Sequence, residues 1–528
     1  MNNSLTRFLN LLLAGALAAT LSVAQFGRGS WTTFGGDPQR SGWNKTENNL
    51  TPENVKNLKL EWSVKLDNEP KALNGLTAPL VRATVATPKG VKDLVVVGGS
   101  SDKIYVLDGD TGKAVWQKTL AIEGTPERQE TWLCPNALTA TPVVGPAPAS
   151  SGGQFGQALY TLASDGKLHV FSLVSGEDIL PPAPFVPAFA KMWSLNLVNG
   201  VLYTTISQGC NSVKSGVYAM DLNEAGHKTY YFQSGTNASG IWGRGGPAMT
   251  SDGKILVETG DGPYEPEKNM MSDSVIALSA KDLSLADYFT PRNRSWMTQK
   301  DLDMGSIGPT VFKFKDWELA AAAGKEGVIF LLDTKSLGGA DHGTPLLRSP
   351  LFANEEVNFA TKGFWGAFST WEDAAGTRWL YAPAWGPPTS TTKFAQTYGE
   401  TPDGSVMAFK VELQAGKPVL TPAWNSVNMS LPTPVIIANG LVFAESDGDY
   451  APQFGPNGNF LGTEQRLGKT GHAVLYVLDG ATGKVLFSSG DAIRGFSHFS
   501  APAVGGGRVY VGTRDGTLYA FGLGIPQP

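Results

Sequence analysis

The chain has 528 residues, a formal net charge of −5 and only 17% charged residues, a balance with no basic stripe, which argues against a nucleic-acid partner. Its 63 glycines and 10% aromatics suit many short strands and turns. Two cysteines, neither in a Cys-x-x-Cys-His arrangement, exclude a disulfide framework and a covalent haem site.

Residues 1–24 read as a signal peptide. Arg7 precedes the apolar run 8–17, and Ser22-Val23-Ala24 supplies a small-residue cleavage pattern. No cysteine follows to make a lipoprotein, and no other stretch is long enough to span a membrane. The mature chain is therefore expected in the periplasm or outside the cell, with no membrane span after cleavage. Residues 25–57 form an N-terminal extension, and residues 58–528 a single folded domain.

Within that domain a hairpin pattern recurs. Residues 94–116 run strand, turn, strand and end in Asp108-Gly-Asp-Thr111-Gly112-Lys113-Ala-Val-Trp116. The tail returns as Asp479-Gly-Ala-Thr482-Gly483-Lys484-Val-Leu-Phe487, and the last hairpin spans residues 508–521. Repetition at roughly 40–60 residues marks a propeller or solenoid. Asp caps such a turn through its carboxylate, and Gly takes the left-handed position at little steric cost. The closing aromatic, Trp116 or Phe487, is expected to fill the gap between neighbouring sheets.

Candidate innermost strands share a small-Pro-apolar pattern, beginning at Ala78, Thr141, Gly246, Gly308, Thr433 and Ala501. Less regular ones at Met192-Trp-Ser-Leu and Phe364-Trp-Gly-Ala fill the gaps. The fold class that follows is all-β, a single eight-bladed β-propeller of four-stranded antiparallel blades; seven blades is the alternative if one irregular unit is not a blade. The eighth unit stops after three strands, and residues 58–66 supply the missing outer strand, which removes two exposed sheet edges. Loops from second to third strand are long in blades three, four, six and seven. With the connections 120–139, 291–306 and 338–363 they elaborate one face, where function is expected.

The opening residues 50–62, the Asp-x-x-Thr-Gly-Lys tails and the blade count resemble the pyrroloquinoline-quinone (PQQ) repeat propellers related to the quinoprotein alcohol dehydrogenases. That resemblance implies PQQ at the centre of the ring, held with a calcium ion, stacked on a Trp and faced by an Asp base. Position by position, Trp242 falls where the supporting Trp stands. Asp261, in Thr259-Gly260-Asp261-Gly-Pro263, falls on a metal ligand, with Asp where the family keeps Asn. Asp303, in Asp301-Leu-Asp303-Met-Gly305, falls on the general base and on the metal, and Lys325 on the cation that contacts the quinone oxygens.

Other positions depart from the family. Its adjacent cysteine pair corresponds to Leu133-Cys134, its metal-binding Glu to Asn211, and a further Glu to Leu76. Cys134 and Asn211 are thus placed beside the cofactor, and Asn211 also on the metal. Cys134 and Cys210 lie on the same expected face in adjacent blades and are available to pair with each other. The five histidines show no metal spacing, and His498, at the mouth of the last blade, is the one to test. The function implied is oxidation of a small alcohol or polyol, Asp303 taking the hydroxyl proton as hydride passes to the quinone, with electrons leaving to a separate acceptor. The alternative is a non-catalytic propeller serving as an interaction scaffold in the cell envelope.

Overall fold

The computed structural model describes residues 29–152, 154–223 and 226–524; the expected signal peptide lies outside them. Among the described residues, eight sheets of four or more strands, antiparallel but for one short parallel pair in the sixth, follow one another along the chain. Blade one is Leu80–Thr87, Gly90–Gly99, Lys103–Asp108 and Ala114–Thr119, and the simple meander repeats in blades two, four, five and seven. Blade eight has three strands of its own, Ala503–Gly505, Arg508–Gly512 and Thr517–Gly522, and takes its fourth from Lys59–Lys65 in antiparallel register. The ring closes as the sequence predicts, and the eight-blade count holds.

Second strands such as Arg508–Gly512 are buried along their whole length because each blade is sandwiched between two neighbours, so both faces of the strand are apolar. Outer strands such as Ala114–Thr119 are largely exposed. The repeated tails account for how blades dock. In the turn after Asp108, the Asp carboxylate accepts from the amides of Asp110 and Thr111 at 2.9 and 3.2 Å. Gly112 and Gly483 take φ of +68° and +75°. A Trp from the preceding blade lies on each such glycine. Trp62 covers Gly112, Trp116 covers Gly176 and Trp424 covers Gly483, and the three indole N–H groups donate to Gly109, Leu173 and Gly480 carbonyls at 2.9–3.0 Å. A Cβ on Gly483 would stand 2.5 Å from the Trp424 ring. The turn residue is glycine for two reasons at once, its φ and the indole above it.

The two irregular innermost strands are real blades with breaks in them. In blade three the strand splits into Lys191–Met192 and Asn196–Val198; in blade six Gly363–Phe364 and Ser369–Glu372 both pair with Arg378–Trp385. Trp193 and Trp365 sit in these breaks.

The extension has a role its sequence does not announce. In chain order it touches every blade: Trp31 pairs with Val81, Val144 and Met249 donate to Thr32 and Pro38, and Val311, Thr370 and Ile437 donate to Gln39, Ser41 and Gly42. Thr33 donates to Leu195 in blade three, and Asn44 to Val504 in blade eight. Phe34 packs on Ala78, Ala367 and Ala501 of blades one, six and eight. Arg40, 1% exposed, donates to Thr33, Phe34, Leu195 and Pro247. The segment fills the axial channel at one end and leaves a cavity at the other.

Candidate functional site

The elaborated face carries a cavity of about 280 Å³ on the axis. Blades four and five build one part of its wall. Asp261 follows the second strand of blade four, Lys254–Glu258. Asp301 and Asp303 lie on the connection to blade five, ahead of the 3-10 turn Met304–Ser306, and Lys325 follows Trp317–Ala323 in blade five. Gly324 lets the two segments approach: a Cβ there would stand 2.4 Å from the Asp303 carbonyl, which accepts from the Lys325 amide at 3.0 Å.

Lys325 Nζ contacts Asp303 Oδ2 at 2.6 Å and Asp301 Oδ1 at 2.7 Å. The Asp261 amide donates to Asp303 Oδ1 at 2.8 Å. One oxygen from each of Asp261, Asp301 and Asp303 falls within 4.8 Å of the others. The Lys325 ammonium also lies 5.4 Å from the ring centres of Trp242 and Trp365. Trp242 meets Trp365 edge to face at 5.3 Å, and Trp365 stacks flat on Trp385 at 4.1 Å. The result is an acid cluster with one cation beside a bank of indoles.

Charge crowding sorts the three acids. Burial and then the charge of Asp303 push Asp261 up to about 8. Asp301 rises to about 6, through burial first and in spite of Lys325. Burial works against ionisation of Asp303 too, but Lys325 and the hydrogen bonds from Asp261 outweigh it and hold the carboxyl below its ordinary value. Lys325 is kept above the ordinary lysine value by the two aspartates, which overcome its own burial. At neutral pH Asp261 is held largely protonated while Asp303 is ionised, the state a proton acceptor needs.

Four of the six residues singled out in the sequence, Trp242, Asp261, Asp303 and Lys325, therefore converge. Asn211 and Cys134 do not join them. The Asn211 carbonyl accepts from the Glu127 and Arg128 amides at 2.7 and 3.3 Å, and its amide donates to Asn136 and Phe189, so its side chain is spent tying loop 120–139 to blade three. Cys134 is bonded to Cys210, 76 residues on, which staples the same loop. Leu133 and Trp132, not Cys134, face the cavity.

A second polar group lies elsewhere in the wall and was only partly legible. His498 Nδ1 is 2.5 Å from Asp449 Oδ2; Arg466 donates to the Tyr450 carbonyl and lies over Trp132, and Lys191 lies against Trp193 and Phe499. His498 stood out by position. Arg466 lies in a long loop with no repeat to align it. Lys191 immediately precedes the Met192-Trp193 irregularity, which was the available signal.

Residues 31–145 match the PQQ family described as the β-propeller domain of glucose/ethanol/alcohol dehydrogenases. No curated protein matches the sequence. Among solved structures, the quinohemoprotein alcohol dehydrogenase of Comamonas testosteroni superposes with a TM-score of 0.57 at 14% identity, over 94% of this chain and 81% of that one. Quinohemoprotein alcohol dehydrogenase ADHIIG of Pseudomonas putida HK5 gives 0.56 at 13%, over 97% and 84%. A europium-containing methanol dehydrogenase gives 0.58 at 13%, over 94% and 99%. Identities this low speak for the fold. The chain is a β-propeller resembling those of the PQQ-dependent alcohol dehydrogenases, as its repeats indicate.

Proposed function

We propose that this protein is a quinoprotein-type oxidoreductase that oxidises a small alcohol or polyol in the axial cavity. The observation that carries the reading is the buried Asp303–Lys325 pair beside Asp261, Asp301 and Trp242 in a cavity roomy enough for a ligand. When bound, PQQ would supply the two-electron acceptor and a calcium ion the Lewis acid.

The residues present fit both groups. Asp261, Asp301 and Asp303 offer hard carboxylate oxygens of the type calcium takes, and the crowding that raises Asp261 is what a dication would relieve. Trp242 offers a flat apolar surface for a ring system. Lys325 holds Asp303 ionised and stands as a hydrogen-bond donor facing the cavity. Asp303 then takes the proton from the substrate hydroxyl. Lining indoles exclude bulk water, which strengthens each of these interactions.

The expected signal peptide, and a disulfide of the kind that persists in oxidising compartments, support a periplasmic or secreted protein that passes electrons to a separate acceptor. Among the described residues no helix is long and apolar enough to cross a membrane. The test is dye reduction by the purified protein with PQQ, calcium and a panel of alcohols and polyols. Turnover with at least one substrate, lost in Asp303→Asn, is expected. No turnover with any would reject the enzyme and leave the scaffold reading.

A further inference from the structure

Among the described residues the buried amine of Lys191 has no counter-ion. Its side chain lines the cavity and the residue is 3% exposed, yet among the described residues no carboxylate lies within 4.0 Å of its ammonium; its recorded neighbours are the ring faces of Trp193 and Phe499, at 5.3 and 5.6 Å. A buried ammonium without a partner is costly, and folded proteins rarely keep one. Burial and the nearby positive charge of Arg466 push it down to about 7.

A second side chain in the same wall is also incomplete. Asp449 engages His498 Nδ1, and His498 Nε2 is buried with no partner. Arg466 does not complete the balance. It donates twice to the Tyr450 carbonyl, and its one carboxylate, Asp449 at 3.6 Å, is already shared with His498. Asp447 acts on Arg466 from farther off, so among the described residues Asp449 is the one carboxylate within 4.0 Å of either cation. The acid cluster on blades four and five has its own cation, Lys325.

We propose that Lys191, with Arg466 beside it, forms a carboxylate-binding subsite in the cavity wall, distinct from the acid cluster of blades four and five. The inference rests on the quinone reading for one source of that carboxylate, PQQ itself, which carries three. The other source is the substrate, which would then be a hydroxy acid rather than a neutral alcohol. Either ligand would supply the missing counter-ion, and His498 Nε2 offers a lone pair to a hydroxyl or a protonated acid on the same molecule. Phe499, which lines the cavity beside Lys191, offers a flat face to a planar acid.

The test uses the full mature chain and its Lys191→Met variant. Because the substitution removes an unpaired buried charge, its melting temperature in the absence of ligand should equal or exceed that of the wild type, which guards against a folding artefact. Binding is read by quenching of tryptophan fluorescence. If the cofactor is the source, PQQ should bind the wild type at least about tenfold more tightly than its trimethyl ester, and Lys191→Met should erase that difference while leaving the ester unchanged. If the substrate is the source, Lys191→Met should leave PQQ affinity unchanged and weaken glycolate about tenfold, with ethylene glycol unaffected. Glycolate is titrated on the protein both with and without PQQ, so a failure of PQQ to bind the wild type sinks the quinone reading while glycolate alone decides the subsite. Unchanged affinities for PQQ and glycolate in a folded Lys191→Met protein would overturn the proposal, as would a variant melting well below the wild type.

Discussion

Lys325 Nζ sits 2.6 Å from Asp303 Oδ2, with the two residues 3% and 4% exposed, and the same ammonium reaches Asp301. This contact makes Asp303 an anion although it is buried, and the chemistry proposed depends on it. Removing the cation strands two carboxylates. Lys325→Met should destabilise the fold by about 3–5 kcal/mol, the usual cost of breaking a buried pair, read as a lower urea midpoint. Any residual activity should have its acid limb moved to higher pH, because Asp303 loses the charge that holds it ionised. Asp303→Asn should fold and cost about 10²–10⁴ in turnover, the range for loss of a general base.

Asp261 makes stability depend on pH in the opposite sense from an ordinary salt-bridged acid. Its carboxyl is raised in the folded state to about 8 from an ordinary 3.8, so its contribution is complete below that ordinary value and is lost as pH rises toward 8. Asp301, raised to about 6, acts in the same direction. Without added metal the melting temperature should fall between pH 5 and 8, and Asp261→Asn should flatten part of that fall. Calcium should raise the melting temperature more at pH 8 than at pH 5, because it binds the ionised acids; scanning calorimetry at both values checks this.

Arg40 donates to groups on the extension and to blades three and four, with its guanidinium buried. Arg40→Met should leave the Phe34 carbonyl without its donor, take one of two donors from each of the Leu195 and Pro247 carbonyls, and reduce stability by about 2–4 kcal/mol in chemical denaturation. Phe34→Ala, which opens the end of the channel among three alanines, should cost about 3–5 kcal/mol.

The Trp-on-glycine contact between blades six and seven predicts an asymmetry. Trp424→Ala deletes a buried indole and should cost about 3–5 kcal/mol. Gly483→Ala should cost about 1–3 kcal/mol, since the new Cβ meets both an unfavourable φ and the Trp424 ring. Combined, the two should cost less than their sum, because without the indole the added methyl no longer clashes. Melting of the three variants measures the coupling.

The repeats made the ring legible because each blade restates the same local chemistry: an Asp that caps, a Gly at positive φ, an aromatic that docks. Closure by residues 59–65 followed from counting strands. The extension was not legible, since residues 29–44 have no strand periodicity and make sense only against eight blades already in place. In the site, Trp242, Asp261, Asp303 and Lys325 were found because their short motifs match those of the family the repeats resemble. Asn211 and Cys134 occupy matching sequence positions but are drawn out of the cavity by loop 120–139, whose course a local motif does not encode. Lys191, Trp193 and Trp365 lie at the two places where the repeat falters, and there the strand break places a side chain at the cavity.

Equilibrium dialysis of the purified mature chain against PQQ with calcium asks whether the axial cavity takes a flat quinone, as proposed, without requiring the right substrate. One PQQ should be retained per chain at micromolar free ligand, with retention falling at least about tenfold in Trp242→Ala. No retention of PQQ by the folded wild-type protein, with or without calcium, would contradict the proposal.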